Sequence, residues 1–124
     1  VTWKNTPITG QIQITKYAEA SSPITGQNSG TPLKGATYEL VRERSGKVVD
    51  YITTDARGVA ASKPLPLGRY LIREVSAPAY YRLSAETFDV TLRYAGQIIK
   101  LAAYNKPVEL GVSRSWRVSL CAMI

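Results

Sequence analysis

GRYLIREVSAPAYY, residues 68–81, is the stretch of sequence that decides the fold of this chain. Side chains alternate between the two faces of a β-strand, so Tyr70, Ile72 and Glu74 share one face. If that face belongs to the core, the Glu74 carboxyl group is buried with it. A buried carboxylate normally takes up a proton or recruits a cation and hydrogen-bond donors. The stretch therefore predicts that other strands supply polar partners for Glu74.

The composition predicts one β-rich domain with a packed core. The chain has 124 residues, 44% of them hydrophobic, which is enough for a single core. Eight tyrosines, many valines, isoleucines and threonines, and regularly spaced glycines and prolines favour strands over helices. We therefore predict an all-β sandwich of about seven strands in two sheets.

Charge and composition argue against several classes of function. The net charge of +7 comes from 16 basic and 9 acidic residues spread along the chain, without the dense basic run typical of nucleic-acid binding. No apolar run is long enough to span a bilayer, and no signal peptide is recognisable. The chain has no histidine and a single cysteine, Cys121, so we predict no metal site, no cofactor site and no Ser or Cys hydrolase site.

Two further strands each end an apolar inward row with a polar residue. In QIQITKY, residues 11–17, alternation places Lys16 in the same row as two isoleucines. In QIIKLAAYN, residues 97–105, Asn105 ends the inward row, because the other face carries lysine and tyrosine side chains suited to solvent. For Lys16 the alternative is a position at the strand end, from which its ammonium group extends into solvent.

The remaining segments indicate strands joined by turns and one long loop. Residues 18–33 are rich in Ser, Gly, Pro and Thr and predict a surface loop. A hairpin is predicted over residues 36–54, and a second turn over residues 55–58. Pro78 cannot continue the strand of the opening stretch, so we expect the residues around it to bulge over one end of the domain.

Lys16, Glu74 and Asn105 together have the chemistry of amide formation between side chains. A buried lysine loses its proton readily and becomes a nucleophilic amine. A buried, protonated glutamate can donate a hydrogen bond to a carboxamide, and an asparagine carboxamide can release ammonia when an amine attacks it. The alternative is a buried ion pair between Lys16 and Glu74, with Asn105 as a hydrogen-bonding turn residue.

The order of motifs along the chain resembles a known family. ITK, PLKGATYELV, TTDARG, PLGRYLIREVSAPAYY and YNKP follow one another as in Cna B-type, or SpaA-like, prealbumin-fold domains of Gram-positive surface adhesins and pilins. The resemblance covers residues 10–107. It implies a prealbumin-like sandwich with an intramolecular isopeptide bond between Lys16 and Asn105, whose formation Glu74 assists as a proton shuttle.

A similar pattern of strand-breaking residues near the two ends predicts that the chain is one module of a tandem array. A pattern of Asn, Pro and Gly that begins at residue 5 returns at residue 105. We therefore expect residues 1–9 to end a preceding module, residues 10–107 to form the sandwich, and residues 108–124 to be a linker or the start of a following, truncated module. The partners of a monomeric domain of this kind would be neighbouring modules of the same polypeptide.

These features predict a structural or adhesive module of a bacterial cell-surface protein or pilin, extracellular and part of a longer chain. No LPxTG-type sorting signal, hydrophobic tail or pilin-motif lysine is recognisable, so we do not expect this piece alone to be anchored or polymerised. The alternative is binding of a carbohydrate or host matrix protein through exposed tyrosines such as Tyr80 and Tyr81, unless those rings pack on loops. An enzyme on a prealbumin-like fold is disfavoured, because the hydroxyisourate hydrolases that would be its model use histidines.

Overall fold

The structure is a computed structural model and describes residues 8–109. The eight strands within this range are β1 Thr9–Ala18, β2 Thr37–Arg42, β3 Lys47–Thr53, β4 Val59–Ala61, β5 Leu65–Pro66, β6 Gly68–Ser76, β7 Thr87–Leu92 and β8 Ile98–Asn105. The predicted all-β sandwich is confirmed. It has one strand more than the expected seven, because the two-residue β5 pairs with the start of β1.

The strands form two sheets of four. In the first sheet β1 pairs antiparallel with β4 and β5, and parallel with β8. The parallel ladder runs from Gln11 opposite Ile98 to Ala18 opposite Asn105. The second sheet has the order β3-β2-β6-β7, and all of its pairs are antiparallel. The first and last strands of the domain are therefore direct neighbours that point the same way.

The core lies between the two sheets and follows the predicted alternation. The fully buried apolar residues on β1, β2 and β6 are Ile12, Ile14, Tyr38, Leu40, Tyr70 and Ile72. Inward residues on β7 and β8, among them Phe88, Val90, Ile99 and Leu101, are only partly buried against this cluster. The difference arises because β7 and β8 are edge strands of their sheets.

The predicted hairpin, turn and loop are also present. The β2–β3 hairpin pairs Thr37 with Thr53, and the 55–58 turn closes with a hydrogen bond from Gly58 N–H to the Asp55 carbonyl (2.8 Å). Residues 19–36 contain no strand, only an isolated bridge from Pro32 to Tyr17.

Part of the predicted domain organisation falls outside the described residues. The expected end of a preceding module falls largely on residues 1–7, and the expected linker or following module largely on residues 110–124. Both segments, including Cys121, lie outside the described residues. Within residues 8–109, no helix is long and apolar enough to cross a membrane.

Candidate functional site

Three polar side chains from three strands meet in the core of the sandwich. Lys16 on β1 is 0% exposed, Glu74 on β6 is 4% exposed and Asn105 at the end of β8 is 1% exposed. All three occupy the inward rows that strand alternation predicts for them. The alternative position for Lys16, with its ammonium group in solvent, is wrong, because strand β1 continues two residues further and keeps the side chain under the second sheet.

The strand register explains why these residues meet. Lys16 pairs with Ala103 and Ala18 pairs with Asn105, so Lys16 and Asn105 are diagonal neighbours on the inner face of two parallel strands. Diagonal neighbours lie within reach of a long side chain such as lysine. Glu74 projects from the facing sheet, where it pairs with Tyr38 on β2. The carboxyl group therefore approaches the other two side chains from across the core.

The Glu74 carboxyl group contacts both partners. Its Oε2 atom lies 3.2 Å from Lys16 Nζ, although these two atoms are not aligned for a hydrogen bond. Its Oε1 atom accepts a hydrogen bond from Asn105 Nδ2 (2.8 Å) and another from the Ser84 main-chain N–H (2.7 Å). The three groups thus form one contiguous polar cluster with a single carboxyl group at its centre.

Burial changes the acid–base chemistry of the lysine. Removal from water lowers the pKa of Lys16, because the charged ammonium form loses its hydration. The negative charge of Glu74 opposes this effect and favours the ammonium form. Burial dominates, so the neutral amine is more accessible here than on an exposed lysine. A neutral amine is the form of lysine that acts as a nucleophile.

The segment after β6 completes the site with main-chain groups. The Arg82 carbonyl accepts a hydrogen bond from Asn105 Nδ2 (2.7 Å), and the Ser84 N–H donates a hydrogen bond to Glu74 Oε1. Arg82 N–H in turn donates to the Lys106 carbonyl (2.8 Å), which fixes the segment against the end of β8. Asn105 is consequently oriented with its nitrogen held by two acceptors, while its Oδ1 atom has no hydrogen-bond partner.

A cleft lies beside Asn105 on the same side as this segment. Its lining includes Glu19, Arg82 and Lys106 together with Asn105 itself. Glu19 and Lys106 approach each other to 3.8 Å at the surface. A surface ion pair at this distance contributes little stability and opens easily. The cleft therefore brings solvent close to the Asn105 end of the cluster.

Sequence reasoning missed three contributors to this site. The Arg82 carbonyl and Ser84 N–H are main-chain groups. Their direction depends on the path of an irregular segment, which residue type does not predict. The third contributor is Tyr38, whose ring lies in the core beside Lys16. The signal was available, because Tyr38 occupies the inward row of a strand that neighbours β6.

The two tyrosines predicted to bind a ligand have different environments. Tyr80 is 59% exposed, as that prediction requires. Tyr81 is 6% exposed, packs against Ala18 and Leu33, and donates its hydroxyl hydrogen bond to Gln27 Oε1 (2.8 Å). For Tyr81 the alternative of a ring packed on a loop is therefore the correct one, because this ring anchors the long loop to the end of the sandwich.

Tyr80→Gly is expected to stabilise the domain by about 0.5 to 1 kcal/mol. Tyr80 has a φ of 68°, within a turn closed by a hydrogen bond from Tyr81 N–H to the Pro78 carbonyl (3.0 Å). This left-handed conformation strains a residue with a Cβ atom, and glycine removes the strain. Urea denaturation measures the change. Tyr94→Gly is the control, because Tyr94 is as exposed but lacks a positive φ, so glycine should destabilise there.

The fold and the site together define a class of protein. A two-sheet sandwich with parallel first and last strands, and with Lys, Glu and Asn clustered between the sheets, resembles the prealbumin-like domains of surface proteins. Residues 10–107 match the family described as SpaA, prealbumin-like fold domain. The chain belongs to this family.

Relatives of the chain are surface proteins and pilins of Gram-positive bacteria. The trypsin-resistant surface T6 protein of Streptococcus pyogenes serotype M6 is 37% identical over 78 residues, which cover 63% of this chain and 14% of that protein. The Bacillus anthracis TIE protein superposes with a TM-score of 0.67 at 33% identity, over 82% of this chain and 18% of that one. BcpA, the major pilin subunit of Bacillus cereus, superposes with a TM-score of 0.65 at 28% identity, over 82% of this chain and 31% of that one.

The chain thus spans less than a third of the length of each of these relatives. The T6 backbone pilin of serotype M6 Streptococcus pyogenes, which has a modular three-domain structure, superposes with a TM-score of 0.53 at 34% identity, over 67% of this chain and 16% of that one. This chain is accordingly a pilin or surface-protein domain of the Gram-positive type.

Proposed function

We propose that the chain is a structural module of a bacterial surface stalk, closed by an isopeptide bond between Lys16 and Asn105. Glu74 serves as the proton shuttle that forms this bond. One observation carries the proposal: Glu74 places one carboxylate oxygen 3.2 Å from the Lys16 amine and the other 2.8 Å from the Asn105 amide nitrogen. A carboxyl group between an amine and an amide is positioned to move a proton from one to the other.

The reaction needs no group from outside the chain. Transfer of one proton from Lys16 Nζ to Glu74 Oε2 gives a neutral amine and a carboxylic acid. The amine attacks Asn105 Cγ, and the carbonyl electron pair moves to Oδ1. A further Nζ proton passes through Glu74 to Nδ2, the carbonyl re-forms, and the Cγ–Nδ2 bond breaks. The departing ammonia takes the first proton from Glu74 and leaves as ammonium, which restores the Glu74 carboxylate, and an amide N–H remains between the two side chains.

The site favours this chemistry over a resting ion pair. Burial lowers the Lys16 pKa, which makes the first proton transfer easier. The Asn105 nitrogen is held by the Arg82 carbonyl and Glu74, so the leaving group is oriented before the attack. The competing interpretation, a Lys16–Glu74 ion pair with Asn105 as a hydrogen-bond donor, pairs the amine with Oε2 but leaves Asn105 Oδ1 buried without a hydrogen-bond partner. Such groups are costly to bury.

The bond suits a domain that transmits tension. Because β1 and β8 are parallel neighbours, the chain enters at Thr9 and leaves after Asn105 at opposite ends of the sandwich. A covalent link from Lys16 to Asn105 connects entry to exit directly and bypasses the residues between them. We infer that the module works in tandem, with residues 1–9 and 108–124 joining it to its neighbours, on the outside of the cell. The reaction consumes its own residues once, so the module is not an enzyme.

Intact mass spectrometry of the folded protein is expected to give the sequence mass less one ammonia. The loss reports condensation of an amine with a carboxamide. Tryptic fragmentation should give a branched peptide that joins the segments around Lys16 and Asn105, with no cleavage after Lys16. The branched peptide distinguishes this bond from ammonia loss elsewhere in the chain.

Two substitutions serve as controls for the mass measurement. Lys16→Ala removes the nucleophile and Glu74→Ala removes the shuttle, so both variants should have their full sequence mass. A full mass for the wild-type protein, or an ammonia deficit that persists in both variants, would refute the cross-link.

A second candidate function, binding of a glycan or host matrix protein, is favoured by Tyr80. Its ring is exposed although the turn conformation prefers glycine at this position. Strained residues of this kind are concentrated at functional sites. Tyr80→Gly should then abolish binding to a glycan array or immobilised matrix proteins while the domain remains folded. Unchanged binding by this variant would remove Tyr80 from the interface.

A further inference from the structure

Four buried polar side-chain atoms within residues 8–109 lack a hydrogen-bond partner, and all four lie in one site. They are Lys16 Nζ, Tyr38 Oη, Glu74 Oε2 and Asn105 Oδ1. Buried polar groups in folded proteins are nearly always paired, so each exception needs an explanation. The cross-linking reaction accounts for the lysine, glutamate and asparagine atoms. It leaves the Tyr38 hydroxyl without a role.

Tyr38 lies against the reacting groups. It pairs directly with Glu74 in the β2–β6 ladder, and it is 1% exposed. Lys16 reaches over its ring from the facing sheet, with Nζ 5.0 Å from the ring centroid. The Tyr38 ring therefore packs against the Lys16 amine on the side of the second sheet, next to the Glu74 carboxyl group.

The reaction requires a hydrogen-bond donor at Asn105 Oδ1, whereas in the structure Glu74 contacts the amide nitrogen Nδ2. When the amine attacks Asn105 Cγ, negative charge develops on Oδ1. Stabilisation of such an oxyanion by an aimed donor is commonly the largest single contribution to acyl-transfer catalysis. The donors around Glu74 are directed at its own Oε1 atom, and Oδ1 has none. Tyr38 carries the unpaired buried hydroxyl of the described residues.

We propose that the Tyr38 hydroxyl donates a hydrogen bond to Asn105 Oδ1 as the tetrahedral intermediate forms, and so acts as the oxyanion donor of the cross-linking reaction. This inference rests on the proposed isopeptide bond. The hydroxyl and Oδ1 are not hydrogen-bonded in the structure, so the bond forms only as the intermediate develops. The step transfers no proton, because the phenol keeps its hydrogen throughout.

The surroundings keep the phenol in its donating form. Burial raises the pKa of Tyr38, and the negative charges of Glu74 and Glu86 raise it further. The hydroxyl therefore stays protonated to higher pH than that of an exposed tyrosine. A donor that resists ionisation can stabilise the oxyanion without competing with Glu74 for protons.

Tyr38→Phe is expected to slow cross-linking by roughly a hundredfold, the cost of removing one oxyanion donor. The full chain is produced by cell-free synthesis, portions are quenched in acid at timed intervals, and the ammonia loss is followed by intact mass spectrometry. Tyr70→Phe is the matched control. Tyr70 is equally buried on the neighbouring strand, but its hydroxyl already donates to the Pro66 carbonyl (2.6 Å). It should lower the melting temperature and leave the cross-linking rate unchanged.

A second substitution tests the same role without removing the hydroxyl. Fluorotyrosine at position 38 keeps the ring and makes its hydroxyl a stronger donor, so cross-linking should become several-fold faster. Equal rates for the wild-type protein, Tyr38→Phe and the fluorotyrosine variant would overturn the role of Tyr38 alone. A wild-type protein that never loses ammonia would refute the isopeptide bond, and this proposal with it.

Discussion

Lys16→Met combined with Glu74→Gln is expected to lower the free energy of unfolding by about 4 to 5 kcal/mol, by analogy with a disulfide that closes a loop of roughly 90 residues. The pair of substitutions removes the nucleophile and the shuttle and leaves two neutral side chains of similar volume. The stability lost is therefore that of the cross-link, because no unpaired charge is left in the core. Urea or guanidinium unfolding, with the mass of each sample recorded, measures the difference.

The same double substitution in an Asn105→Ala background provides the control. Asn105→Ala cannot form the bond, so Lys16 and Glu74 remain as a buried ion pair. Replacing a buried ion pair with neutral residues of similar volume is commonly neutral or stabilising by about 1 to 4 kcal/mol. The expected effect therefore changes sign between the two backgrounds. An equal loss of stability in both would show that the ion pair, and not a covalent bond, supplies the stabilisation.

The sheets and the polar cluster were predictable because alternation in a strand has a period of two. Once Tyr70, Ile72 and Glu74 are assigned inward, the same rule applied to β1 and β8 places Lys16 and Asn105 in the core. Their proximity does not follow from alternation. It depends on the parallel pairing of β1 with β8 and on the register that puts Ala103 opposite Lys16. The resemblance to a family implied that the two residues lie together, and the structure brings both side chains to Glu74.

The irregular parts were less predictable, because their contacts depend on chain path more than on residue type. Proline and serine content correctly indicated loops, but could not tell that Tyr81 turns inward while Tyr80 stays exposed. The two adjacent rings point in different directions because the turn at Tyr80 has a left-handed conformation. Such a turn is normally predicted from a glycine, and a tyrosine at this position gives no such signal. The β5 strand was missed for a related reason, since two residues are too few to show alternation.

Gly58→Ala is expected to destabilise the domain by about 2 to 4 kcal/mol, of which about 1 to 2 is backbone strain and the rest is overlap with neighbouring atoms. Gly58 has a φ of 78°, and a Cβ atom there would lie 2.7 Å from the Lys16 carbonyl oxygen and 3.0 Å from the Leu33 nitrogen. Both are main-chain atoms, which cannot move aside as a flexible side chain would. Strand β1 would have to shift at Lys16 itself, where Lys16 N–H donates to the Gly58 carbonyl (2.8 Å).

Gly46→Ala separates the two contributions. Gly46 lies in the β2–β3 turn with a φ of 68°, but a Cβ atom there would meet nothing within 4 Å. It should therefore show the backbone strain alone, about 1 to 2 kcal/mol. Measured in the Lys16→Met, Glu74→Gln background, the difference in unfolding free energy between the two variants is the cost of displacing β1.

In the wild-type background, Gly58→Ala should also slow the loss of ammonia, because the amine of Lys16 moves with its strand, whereas Gly46→Ala should not. Equal unfolding free energies and equal cross-linking rates for the two variants would contradict a close approach of the 55–58 turn to the reactive lysine.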